Sequence, residues 1–469
     1  MKNFLIIAIA GLALLATSCI KDLGNYDYTA TEEPVVTNLD SIYYVNVGDH
    51  LVVEPTVSFG KKENLSYEWN IDIPEELRSE FYEGENLDIF FGLKTNSYNA
   101  RFAVVDNSNG MKYFYPFVIK SQANFSEGIT LLTSNDGKAE LSFVKPDGSI
   151  QSNIYEQIYG EPLPNGPRQL IALQHMQMGN LPYIGYWIIC SDKNNPGVEI
   201  DVNTFQRIKY FRENFFDTQG SELDAQAFVP LQQAVMSGII NNKLYLGASS
   251  TYYISPIYGF FGTPVPGDYE LDSHFLFSGG YYLGYDKAHK QLAYFDGGGN
   301  YYGDDYNVTG DEFDPKNLNI DILDMEMISM DVHYIIGVDK TDGQVYEFKF
   351  GLNVDPRTVL PLSKKAFIRQ DLVDENNKWV LSNTEIFYFA HGSTVYRYNP
   401  LNDDIRPLST DFGGKNVTML KMGEDGETLI AGTEGQIYFM DVSTGKYGDL
   451  LETISGIEGE PVDLYIKEK

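Results

Sequence analysis

The clearest local signal in the sequence is Tyr282-Leu283-Gly284-Tyr285-Asp286-Lys287-Ala288-His289-Lys290-Gln291-Leu292-Ala293-Tyr294-Phe295, two apolar, aromatic-rich runs joined by a polar turn. Runs of this kind, bounded by turn formers, predict an antiparallel strand pair. The same unit recurs at 129–144, 186–201, 244–254, 334–348, 387–398 and 429–440. From 129 to 429, six intervals of 38 to 58 residues span 300, a mean of 50. That period is near the kelch scale and above that of WD repeats, and each unit can supply a four-stranded blade. One blade cannot bury both faces alone, so neighbours stack and a closed ring covers them all. The expectation is an all-β fold with a seven-bladed β-propeller over 126–469. It rests on period alone, since neither the WD dipeptide nor the kelch Gly-Gly pattern recurs. Val462-Asp463-Leu464-Tyr465-Ile466 alternates like a strand and would complete the first blade. The uneven spacing also admits two stacked β-sandwiches.

Ahead of the repeats, residues 34–122 carry about seven short alternating segments, among them 51–57, 66–71, 87–91, 100–105 and 111–119. Their density predicts an immunoglobulin-like sandwich with Trp69 buried on a central strand. Only 74–82 (PEELRSEFY) reads as one or two helical turns.

Composition narrows the function classes. Lys plus Arg is 34 against 66 Asp plus Glu, a formal charge of −32, which repels nucleic-acid backbones. Two cysteines, Cys19 and Cys190, provide neither a disulfide framework nor a Cys-rich zinc site. Residues 1–18 (MKNFLIIAIAGLALLATS) have a positive start and a thirteen-residue apolar run, 4–16. That run is shorter than the roughly 20 residues a spanning helix needs and fits a secretory signal. Residues 19–33 read as a polar tether.

Ala16-Thr17-Ser18-Cys19 resembles a bacterial lipobox, which implies acylation of Cys19 and anchoring without a membrane helix. Ile20-Lys21-Asp22 is similar to the export signal of lipoproteins on the outer face of the Bacteroidetes outer membrane. Val45-Asn46-Val47-Gly48-Asp49, then Tyr67-Glu68-Trp69, then Val104-Val105-Asp106-Asn107-Ser108-Asn109-Gly110 resembles the PKD-type sandwich pattern. With the lipobox and the lead-in Gly24-Asn25-Tyr26-Asp27-Tyr28, the chain resembles the PKD-like family lipoproteins of Bacteroidetes. That resemblance implies a SusC/SusD-type importer as partner.

Catalytic motifs are missing. There is no HExxH, no Gly-x-Ser-x-Gly elbow and no P-loop, and the six histidines are scattered singly. Cys190 follows Trp187-Ile188-Ile189 and is expected to be a small buried hydrophobe. Among so many carboxylates no glycosidase pair is identified by sequence. Asp305, Asn307, Thr309 and Asp311, with Gly310 between the last two, match the first half of a calcium loop, a candidate calcium site. Lys316 stands where the bidentate Glu belongs. Ile257, Tyr258, Phe260 and Phe261, between Pro and Gly residues, together with Tyr301 and Tyr302, are the candidate ligand or partner loops. The alternative is that the 257–266 loop folds over its own domain.

The expected function is a non-enzymatic accessory subunit of an outer-membrane importer, lipid-anchored at the cell exterior, that captures glycan or peptide and uses no cofactor. A polysaccharide hydrolase or lyase with its site in the propeller channel is the first alternative. A structural spacer is the second.

Overall fold

The computed structural model describes residues 32–467, except 48, 61–63, 75–76, 94–95, 123–124, 175–182, 232, 251–254 and 279. The leader, Cys19, the 24–28 lead-in and Tyr252, Tyr253 and Ile254 of the third repeat lie outside the described residues. The chain is all-β and divides into two compact units, 32–45 with 49–122 and 46–48 with 123–467.

The first unit contains β1 (Val35–Thr37), β2 (Ile42–Asn46), β3 (His50–Val53), β4 (Thr56–Ser58), β5 (Leu65–Ile73), β6 (Arg78–Glu83), β7 (Leu87–Phe90), β8 (Ser97–Asp106) and β9 (Met111–Gln122). A five-stranded sheet, β2-β9-β8-β5-β6, is accompanied by the pairs β3-β7 and β1-β4. Alternation along β5, β8 and β9 buries Trp69, Ile71, Tyr98, Phe102, Val104, Phe117 and Ile119 on one face, against Leu51, Val53 and Leu87. Trp69 sits on a central strand as expected, with its ring centroid 4.3 Å from that of Phe102 and its indole N–H donated to the Gly84 carbonyl at 2.9 Å. Of the 74–82 segment, Pro74 stands in a 3₁₀ turn closed by the Leu77 N–H, and residues from Arg78 on are strand, pairing with β5, Ile73↔Arg78 through Glu68↔Glu83. One or two isolated helical turns are unstable, and a ladder with the edge of β5 satisfies more backbone. The 51–57 run is broken before Pro55, which has no N–H to continue a ladder, so β3 and β4 join different sheets.

The second unit consists of seven sheets among the described residues. The first has β10 (Gly128–Asn135), β11 (Lys138–Val144) and β12 (Ile150–Gln151), followed by a short helix, α1 (Ile154–Tyr159). The second has β13 (Pro167–Gln174), β14 (Tyr183–Cys190), β15 (Gly197–Ile200) and β16 (Arg207–Tyr210). The third has only β17 (Ala225–Leu231), β18 (Val235–Ile240) and β19 (Lys243–Leu246). The fourth has β20 (Leu271–Ser278), β21 (Tyr281–Asp286), β22 (Gln291–Asp296) and β23 (Tyr301–Gly303). The fifth has β24 (Asn307–Val308), β25 (Ile320–Ser329), β26 (Val332–Asp339), β27 (Val345–Val354) and β28 (Arg357–Ala366). The sixth has β29 (Lys378–Leu381), β30 (Phe387–His391), β31 (Thr394–Asn399) and β32 (Asp404–Pro407). The seventh has β33 (Val417–Met422), β34 (Thr428–Thr433), β35 (Gln436–Asp441) and β36 (Asp449–Ser455). The last strand, β37 (Glu460–Lys467), returns to pair with β10 and contains the 462–466 segment.

Packing is sequential and cyclic. One apolar cluster lies between each sheet and the next: Phe143 with Tyr186 and Ile188, for example, or Leu283 with Ile335 and Phe348. The seventh cluster, with Ile430, Leu131 and Leu464, joins the last sheet to the first. The strands β13, β17, β20, β25, β29, β33 and β37 touch one another in that same order, and β37 touches β13. The third repeat is out of step with the others: 244–247 is the third strand of its sheet, and the equivalent of the other units is β18. The tight Asn241-Asn242 turn places two similar apolar strands side by side, so period alone selected the wrong one.

Candidate functional site: a polar cavity among the sheets

Six of the seven innermost strands carry a register shift against their sheet neighbour: β13, β17, β20, β25, β33 and β37. Such bulges turn a side chain out of the ladder. Room for them comes from glycines on the second strands, Gly238, Gly284, Gly337 and Gly432, which stand beside the bulges. A Cβ on Gly432 would lie 2.6 Å from the Pro461 Cβ, and one on Gly284 3.0 Å from Leu271.

Five of these bulges border one cavity of about 850 Å³, to which Arg168, His274, Leu323, Thr418 and Val462 contribute. Asn376, Asn377, Trp379, Asn416, Asp324 and Glu460 also line it. A smaller cavity of about 290 Å³ shares Asn376, Asn377 and Asn416 and adds Asp374 and His391. The wall is therefore mainly polar, with few aromatic faces.

Several polar groups of the wall are already engaged. Arg168 donates to Asp224 at 2.8 Å. His274 Nδ1 lies 2.7 Å from Asp272, and although burial raises the Asp272 carboxyl, hydrogen bonds from the His274 ring and backbone hold it below the usual range. Asn377 donates to the carbonyls of Leu372 and Ala390. Asp324 and Glu326 are different. Burial pushes both carboxyls up, and Glu326 raises Asp324 further; hydrogen bonds from the Met325 backbone at Asp324 and from the Leu381 backbone at Glu326 offset part of this. Asp324 Oδ2 and Trp379 Nε1 are buried without hydrogen-bond partners among the described residues.

The sequence-predicted site residues are not gathered here. Phe261 is fully buried, packing on Phe211, Phe215, Phe228 and Tyr245, and its backbone bridges to Gly247 beside the short third sheet. Phe260 packs on Phe216, and the Tyr258 hydroxyl donates to the Gln233 carbonyl, while Ile257 stays partly exposed. Much of this loop thus covers its own domain. Tyr301 packs on Tyr269 and Phe295, and Tyr302 lies under the Arg357 guanidinium, 3.8 Å from the ring centroid. Asp305 pairs with Arg357 at 3.1 Å, Asn307 lies in β24 beside β28, the Thr309 N–H donates to the Val359 carbonyl, and Asp311 is exposed. No group of three or more His, Cys, Asp or Glu suited to a metal occurs among the described residues. Cys190 is fully buried, its thiol pushed up to about 12 by burial. Sequence reasoning missed the cavity. The recurring Gly late in the second strands (Leu283-Gly284, Ile336-Gly337, Ala431-Gly432) was the available sign of it.

Residues 19–167 match the PKD-like family, so the N-terminal domain is PKD-like, and the match runs past residue 122 into the first sheets of the second unit. No curated protein matches this chain. Similar solved structures include dihydro-haem d1 dehydrogenase NirN in complex with DHE, at 12% identity over 78% of this chain and 72% of that one, TM-score 0.41. A functionally unknown protein from Desulfotomaculum acetoxidans matches at 11% identity over 72% and 98%, TM-score 0.41. A protein proposed to be a 6-phosphogluconolactonase, from Bacteroides uniformis, matches at 12% identity over 72% and 99%, TM-score 0.43.

Proposed function

We propose that the second unit is a seven-bladed β-propeller whose axial cavity captures a small polar ligand, a glycan or peptide fragment. In this reading the chain is a non-enzymatic lipoprotein on the outer face of the outer membrane, accessory to a SusC/SusD-like importer. The observation that carries the reading is the cavity itself, polar, of ligand size, and lined by bulges from five sheets. The cyclic order of sheets and inter-sheet cores supports the propeller. The lipobox-like 16–19 segment supports anchoring at Cys19, and the importer rests on the resemblance to PKD-like lipoproteins. Calorimetric titration with panels of neutral and charged oligosaccharides and peptides tests capture: heat lost on substituting Asn416 or Asn377 supports it, and no heat from any panel member refutes it. Radiolabelled palmitate should enter the chain and not its Cys19→Ala variant, and mild-detergent extracts should retain the importer.

A second reading, hydrolysis in the channel, is favoured by the adjacent acids Asp324 and Glu326, of the type that serves acid–base chemistry. Turnover of a polysaccharide abolished by Asp324→Asn would establish it over simple capture.

A further inference from the structure

We propose that the axial cavity takes a ligand bearing a primary ammonium group, seated against the carboxyl of Asp324. This deepens the capture reading and rests on it. Asp324 and Glu326 lie on one face of β25, because pairing is regular beyond the bulge: Asp324↔Ile336, Met325↔Ile335, Glu326↔Tyr334. Glu326 has the Leu381 N–H and Asp324 the Met325 N–H, but Asp324 Oδ2 accepts nothing and no ion pair reaches Asp324 among the described residues. The cavity's other cations do not supply that charge. Arg168 pairs with Asp224, the His274 ring is bonded to Asp272, and Lys378 extends from an exposed position on the wall.

A buried acceptor without a donor costs about 1–3 kcal/mol, and two neighbouring carboxyls cannot both ionise freely. A hydroxyl would supply a donor alone. An ammonium supplies donors and the opposite charge together, and Trp379 Nε1, also without a partner, can donate to an oxygen on the same ligand. On binding, the ammonium forms N–H···O bonds to the carboxylate, and the O–H bond of the acid pair breaks, its proton passing to the buffer, with no other covalent bond changed. Amino sugars and peptide amino termini share this chemistry.

The test is titration of the full chain at pH 7 with the glucosamine disaccharide and its N-acetylated form, and with glycylglycine amide and its acetylated form, each in phosphate and Tris. The free amine of one source is expected to bind at least about tenfold tighter than its acetylated form, with an observed heat that differs between buffers because a proton is released. The source that binds identifies sugar or peptide. Asp324→Asn should remove the preference for the free amine, and Glu326→Gln should lower the proton release, which keeps the test open if the first variant misfolds. Equal binding of amine and acetylated forms, or a preference that survives Asp324→Asn, overturns the ammonium assignment while leaving capture intact. Silence of all four ligands also overturns the ammonium assignment, while capture falls only with silence of the wider oligosaccharide and peptide panels.

Discussion

Lys421 donates to Asp463 at 2.7 Å, tying the innermost strand of the seventh sheet to the strand that completes the first. The other Asp463 oxygen accepts the Leu170 N–H at 2.9 Å, so one carboxylate joins three successive sheets. Thr418 adds a bond to the Pro461 carbonyl at 2.7 Å. Removing a partly buried charged acceptor strands its donors, so Asp463→Ala should lower stability by about 1–3 kcal/mol in urea unfolding. Combining it with Lys421→Met should cost less than the two changes added separately. Additive losses would show that the pair is not coupled.

Deleting the chain from Glu460 onward should do more than remove a strand. It opens the β10 edge and uncovers Leu131 and Ile430 in the cluster that joins first and last sheets. The truncated chain should bind a hydrophobic dye and lose its sharp melting transition in calorimetry. An unchanged melt would mean that the seven sheets do not depend on this closure.

Gly432→Ala should destabilise by about 1–3 kcal/mol, because the new Cβ would meet Pro461 and Met419 at the bulge. Gly262→Ala, where a Cβ meets nothing within 4 Å, is the control and should be nearly neutral. Melting temperatures of the two variants, measured side by side, decide this.

The raised carboxyls of Asp324 and Glu326 give a signed pH dependence. In the unfolded chain these acids ionise in the ordinary carboxylate range, while in the fold they hold their protons to higher pH. Their contribution is therefore fully present below the unfolded value and is lost as pH rises through the folded one. Glu326→Gln should gain stability relative to the parent chain at pH 8 and show less gain at pH 5. A stability difference independent of pH would mean that the Glu326 carboxyl is not perturbed.

Calcium should leave the melting temperature unchanged, because Asp305 is turned to Arg357 and Asn307 and Thr309 are tied by their backbones to β28. A rise on adding calcium, abolished by Asp305→Asn, would restore the 305–311 loop as a metal site.

Much of the architecture is written in local pattern. Alternation along β5 and β8 buries Trp69 and Phe102, and 462–466 reads as a strand without reference to its partner. These signals survive because a strand's two faces are set by neighbouring residues. Residues 78–82 depart from the helical expectation for the converse reason, as their state depends on the edge of β5. The repeat at 244–254 failed because two similar strands compete within one hairpin.

The cavity belongs to the other category. Arg168, His274, Asp324, Trp379, Thr418 and Val462 are spread over some three hundred residues and share no spacing, and each is ordinary where it stands in the chain. Strand identity and charge depend on short-range order, which a sequence carries directly. Which polar groups meet in one cavity, and which of them go without partners, depends on how the seven sheets pack against one another in turn and on which of their inner strands bulge.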